Sequence, residues 1–186
     1  RQRQMCIRDR LWAAGSRDAK EGPVPRMSYM TWEVAAAAFV EHDRSSLSPV
    51  DVADELAVQL THRGYFDGRR RFSLGVRALA EGAARLAEEP EDHIAQMNYM
   101  QCGGSAERMT IEVRVASGES MTHYAVSRMP VADDNAWIEL PYDGDRSVRL
   151  HPEEVFSGEQ AVPVFRAYIL DGVLPPEDLL RDLHLS

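Results

Sequence analysis

The 186-residue chain carries 21 Lys+Arg against 30 Asp+Glu, a formal net charge of −9, with 44% hydrophobic and 27% charged residues. That is the balance of an ordinary globular domain, and no apolar run approaches the roughly 18 residues of a bilayer-crossing helix. Two cysteines, Cys6 and Cys102, make neither a disulfide scaffold nor a Cys-x-x-Cys metal pair, and the acidic balance argues against broad electrostatic binding of nucleic acid.

The charge is uneven along the chain. Residues 1–26 hold seven basic and three acidic side chains, a net +4, and Lys20 among them is the only lysine; the remaining 160 residues are at −13. The opening Arg1-Gln2-Arg3-Gln4-Met5-Cys6-Ile7-Arg8-Asp9-Arg10 resembles translated sequencing-adaptor text, with Met5 to Arg10 as the specific match. It has neither the apolar core nor the small-residue cleavage pattern of a secretory signal. Gly22-Pro23-Val24-Pro25 reads as linker, so residues 1–26 are expected to be a non-native or disordered leader, with Met27 or Met30 as the start.

Beyond it the expected elements run as follows. Trp32, Ala35, Ala36, Phe39 and Val40 recur at helical spacing behind a capping Thr31. Ser48 as cap, Pro49 at the first helical position and the stripe Val52, Leu56, Leu60 predict a second helix ending near Gly64. A third is predicted over 76–88, stopping before Pro90. After Pro90 the period changes to two. Residues 94–101 are apolar enough for a strand, and Met109, Ile111, Val113 and Val115 alternate with polar neighbours as a half-buried one. A turn at Ser117-Gly118-Glu119 leads to a hairpin partner over 121–128, and shorter strands follow at 136–140 and 146–150. Ser157 with Gln160 forms a capping-box pattern ahead of Ala161, Phe165, Tyr168 and Ile169, and Gly172 fits the helix end. Pro163 predicts a kink or a later start. A last amphipathic turn over 176–183 presents Leu179, Leu180 and Leu183.

The expected fold is α+β: an antiparallel meander sheet with helices packed on one face and a helical N-terminal third. Residues 27–186 form one domain, with 27–92 mainly helical, 93–150 sheet and 151–186 C-terminal helices.

Motifs for chemistry are sparse. The six histidines have no His-x-x-x-His spacing, so no metal or cofactor is expected; His123 is the one singled out for a possible role. Cys102 before Gly103-Gly104 could be a nucleophile if His93 or His123 served as its base, but a small buried residue beside a chain turn accounts for it as well. Arg69-Arg70-Arg71 reads as a solvated loop or as partners for nearby carboxylates.

Two stretches carry a resemblance. Tyr99 to Arg114 joins a strand, a small-residue turn and a strong second strand. His151-Pro152-Glu153-Glu154-Val155-Phe156 runs into Ala161, Phe165-Arg166-Ala167-Tyr168, Gly172 and Pro175. Over roughly residues 94–186 this resembles immunity protein family one of bacterial polymorphic toxin systems, although Leu179-Leu180-Arg181-Asp182-Leu183 stands where that family has a C-terminal tryptophan. The resemblance implies a non-enzymatic, cytoplasmic protein that neutralises a cognate toxin, a nuclease or deaminase, by tight binding. An acidic domain suits a basic toxin surface. The expected interface is Asp133, Asp134, Trp137, Tyr142, Asp143 and Asp145, the aromatics serving as anchors. The rival expectations are a small enzyme using Cys102 and a generic protein-binding adaptor.

Overall fold

The computed structural model describes residues 28–36, 38–79, 98–117, 120–142 and 146–184. The N-terminal expectation is overturned at once. Ser28–Ala35 is strand β1 and Ala38–Asp43 is strand β2, its antiparallel partner, with Ala36 at a left-handed φ of 49° in the tight turn between them. The helical spacing there was coincidental. Tyr29 and Thr31 are buried on one side of β1 and Met30 and Trp32 on the other, and a strand buried on both faces loses its alternating signature. The alanines favour helix only weakly against that burial.

Helix α1, Pro49–Thr61, follows as the sequence predicts. Ser48 and Asp51 close a reciprocal capping box, and Val52, Ala53, Leu56 and Leu60 are buried. Strand β3, Arg71–Leu79, replaces the beginning of the predicted third helix; the remainder of that helix lies outside the described residues. Strands β4 (Tyr99–Gly104), β5 (Met109–Ser117) and β6 (Ser120–Val126) continue as a meander. Cys102, Gly103 and Gly104 sit within β4, so the turn falls after the glycine pair, at 105–108. Gly104 is required there: its φ is 125°, and a Cβ would lie 2.4 Å from the Arg108 carbonyl oxygen.

A separate hairpin, β7 (Ile138–Tyr142) and β8 (Arg146–Leu150), precedes helix α2, Gly158–Asp171. Ser157 and Gln160 form the expected capping box, Gly172 ends the helix at φ 63°, and Pro163 is accommodated inside it. The expected last helical turn is instead a 3-10 turn, Glu177–Leu179, running into a short strand β9, Leu180–Asp182. Among the described residues, the large sheet is antiparallel throughout, in the order β2-β1-β3-β4-β5-β6-β9. The molecule is α+β, dominated by sheet, with two described α-helices.

Both helices contribute to one core. Leu56, Leu60, Phe165 and Ile169 pack with Leu74, Val76, Met100, Cys102, Ile111 and Val113 from the sheet. The helices cross closely at Gly158, where a Cβ would stand 2.2 Å from the Leu60 carbonyl oxygen. We call this the helix-facing side of the sheet and the opposite one its far side. Cross-strand partners share a side. The register therefore puts Phe39, Glu41, Trp32, Arg77, Tyr99, Arg114, His123 and Arg181 on the far side.

Candidate functional site

The far side carries a row of aromatic rings and guanidinium groups across the sheet. Phe39 on β2 lies 6.4 Å from the Trp32 ring on β1, and Tyr99 on β4 meets Trp32 edge-on at 5.5 Å. Tyr99 in turn meets His123 on β6 at 5.9 Å. Arg77 stands 4.7 Å over Trp32 and 5.6 Å from Tyr99, and Arg114 stands 5.6 Å from Tyr99. Gly75 makes this row possible. A Cβ there would fall 2.1 Å from the Trp32 indole, which lies flat across the missing side chain. Burial lowers the pKa of Arg77, and the Glu41 carboxylate opposes that shift. Trp32 is 4% exposed, whereas Phe39, at the sheet margin, is 57% exposed.

A second cluster lies beyond β6. Glu154, fully buried, accepts from Arg181 Nε at 2.6 Å and Nη2 at 2.9 Å, and from the His151 backbone N–H at 2.8 Å. His151 Nδ1 donates to the Ala136 carbonyl at 2.9 Å, and its ring lies 3.7 Å from Trp137. Arg149 and Arg181 stand 4.7 and 5.4 Å from the same indole. This cluster ties the β7–β8 hairpin to the C-terminal strand. Little in the sequence marked it, because its members are spread from 137 to 181; the reciprocal spacing of His151 and Glu154 was its single local signal.

A third polar group sits on the helix-facing side. Glu33, buried, accepts from Tyr65 Oη at 2.6 Å and from Arg71 Nε at 3.0 Å, with His42 Nε2 at 3.8 Å. Burial, reinforced by the Glu33 carboxylate, pushes the Tyr65 phenol up to about 12. Asp67 holds the neighbouring loop by accepting from the backbone N–H groups of Arg69, Arg70 and Arg71. Although partial burial opposes it, these bonds keep its carboxyl below the usual range. The arginine triplet thus divides: Arg71 pairs with Glu33, while Arg69 and Arg70 are exposed.

Of the sequence-predicted interface residues, the structure describes Asp133, Asp134, Trp137 and the backbone of Tyr142. Asp133 and Asp134 are exposed on the loop before β7, where Asp133 accepts from the Asn135 N–H at 2.9 Å. Trp137 is half-buried in the stack just described. Tyr142 ends β7, paired with Arg146; Asp143 and Asp145 lie outside the described residues.

Cys102 is buried in the helix-facing core, and burial pushes its thiol up to about 12. His123 lies on the opposite side of the sheet, and His93 falls outside the described residues. Among the described residues no group of three or more His, Cys, Asp or Glu is arranged to hold a metal, and no helix is long and apolar enough to cross a membrane. No protein-family model, curated protein or solved structure matches the chain.

Proposed function

We propose that the chain is a non-enzymatic, cytoplasmic immunity-type protein that binds and neutralises a cognate bacterial toxin through a basic surface of that toxin. One observation carries this reading: among the described residues many arginines are engaged by carboxylates or rings, and exposed carboxylates outnumber exposed arginines. Arg44, Arg63, Arg71, Arg166 and Arg181 pair with Glu55, Glu107, Glu33, Asp54 and Glu154. Arg77 and Arg149 lie over tryptophan rings. Glu41, Asp133, Asp134, Glu159, Glu177 and Asp178 are exposed. A basic partner therefore meets an acidic outer field, which speeds encounter and selects against acidic competitors.

The test is co-expression with the toxin-like open reading frame encoded immediately upstream. The expected result is rescue of growth and a one-to-one complex whose association slows steeply as salt rises. Failure of the intact chain either to bind that product or to rescue growth overturns the proposal.

A further inference from the structure

We propose that β2 is a docking strand: a basic, extended segment of the partner adds to its outer edge, where Phe39 and Glu41 read it. The backbone orientation follows from one bond. Arg44 N–H donates to the Tyr29 carbonyl at 3.0 Å, and the β1–β2 register continues unbroken from that pair. In an antiparallel ladder bonded and non-bonded pairs alternate, so His42, Val40 and Ala38 turn their amides and carbonyls toward β1. Phe39 and Glu41 turn theirs away from it. Among the described residues no strand lies against that edge.

Sheet margins are usually protected by brevity, proline, lysine or a bulge. β9, at the other margin, spans three residues and follows Pro175-Pro176. β2 spans six residues with no proline or lysine, and its pairing with β1 has no register shift. Such an edge is a template for strand addition.

The side chains define the occupant. Phe39 and Glu41 emerge on the far side, the first widely exposed and the second an exposed carboxylate. Asp43 shares that side and accepts from the Ser45 N–H. An added strand is therefore selected for an apolar residue against Phe39 and for arginine or lysine two positions away. A second copy of the chain fits poorly. The two longest registers that match outward backbone to outward backbone set Glu41 against Glu41 or against Phe39, and neither arrangement attracts.

The partner's identity rests on the immunity reading; the edge itself does not, and the experiment separates them. Glu41→Pro removes the outward N–H together with the carboxylate while sparing the bonds to β1, at a position where an edge strand tolerates proline. Glu41→Arg keeps the backbone and reverses the charge. With the upstream toxin, each substitution is expected to weaken binding by about tenfold or more, the size of one lost charge-assisted contact. Unchanged affinity in both variants overturns the docking strand while leaving the immunity reading intact. If the intact chain binds no toxin, the probe becomes a synthetic peptide of alternating arginine and valine. The expected result is slowed amide exchange at Phe39 and Glu41 in the intact chain, and loss of peptide binding in both variants. No added protection at those two amides overturns the proposal, as does a concentration-dependent homodimer abolished by Glu41→Pro.

Discussion

The two margins of the sheet solve the same problem in opposite ways. At the β9 margin a three-residue strand is fastened by a buried carboxylate that accepts three hydrogen bonds, two from Arg181 and one from the His151 N–H. The β2 margin is twice as long, carries Phe39 widely exposed, and points its odd-numbered backbone groups outward. Buried charge fixes one end; along the outer edge of the other, no strand lies among the described residues. The difference teaches where to look for stability and where to look for recognition, since a strand already latched on its own chain has little left to offer a partner.

The largest expected effect lies at the latched end. Glu154→Ala leaves the half-buried Arg181 guanidinium and the His151 N–H without their acceptor, and losing one member of such a pair costs about 3–5 kcal/mol. Urea unfolding monitored by circular dichroism should show it, with Glu154→Gln falling between the two. A loss below about 1 kcal/mol would mean that the latch does not hold this end. Next in size is Gly75→Ala, in the middle of the far side. The new methyl meets the Trp32 indole at 2.1 Å, and Trp32 is itself pinned by Arg77 and Tyr99. Overpacking of that kind costs about 1–3 kcal/mol. Altered near-ultraviolet dichroism of tryptophan should accompany it; a stability unchanged within error would show that the ring moves aside freely.

Toward the β2 margin the effects become smaller and depend on pH. Tyr65→Phe removes the phenol that donates to Glu33, a loss of about 1–2 kcal/mol for a buried hydrogen bond to a carboxylate. The sign of the pH dependence is fixed by the phenol's rise from its ordinary value near 10 to about 12. The neutral form is favoured in the fold, so this contribution is complete below about pH 10 and disappears as pH climbs through about 12. The wild type should therefore lose stability more steeply than Tyr65→Phe across that window. Parallel curves would remove Tyr65 from the alkaline transition. In a Cys6→Ser background, the Cys102 thiol should resist Ellman's reagent at pH 8 until the chain unfolds, because it is buried and its thiolate is strongly disfavoured.

What the sequence made legible follows the same division. Local signals hold where they act locally. Ser48 with Pro49 and Ser157 with Gln160 each start a helix at the expected residue, and Gly172 ends one. The alternation from Met109 to Val115 is strand β5, whose far side carries the half-buried Glu112 and Arg114. β1 and β3 were missed because they lie inside the sheet and are packed on both sides. Trp32 and Tyr29 are equally buried on opposite faces, and Gly75 and Arg77 interrupt what would otherwise be an apolar run. The far-side row depends on the order of strands, which places residue 32 beside residues 75 and 99. No spacing in the sequence encodes that neighbourhood. The contact of Trp137 with His151, whose N–H Glu154 holds, joins residues 14 apart and is visible only in three dimensions.

The smallest expected effect gives the sharpest contrast between the two margins. Phe39→Ser removes a ring that is 57% exposed and touches the fold mainly through one tilted contact with Trp32 at 6.4 Å. Surface substitutions of this kind change stability by about 0.5 kcal/mol or less, because the ring loses little buried area and vacates no enclosed volume. Its even-side neighbours carry the bonds to β1, so the ladder survives the exchange. The expected outcome is a melting temperature within a degree or two of wild type, alongside weakened binding to a strand-forming basic partner. A large drop in melting temperature would instead make Phe39 part of the far-side packing. In that case the β2 margin would be held by its own side chains, much as β9 is held by Glu154.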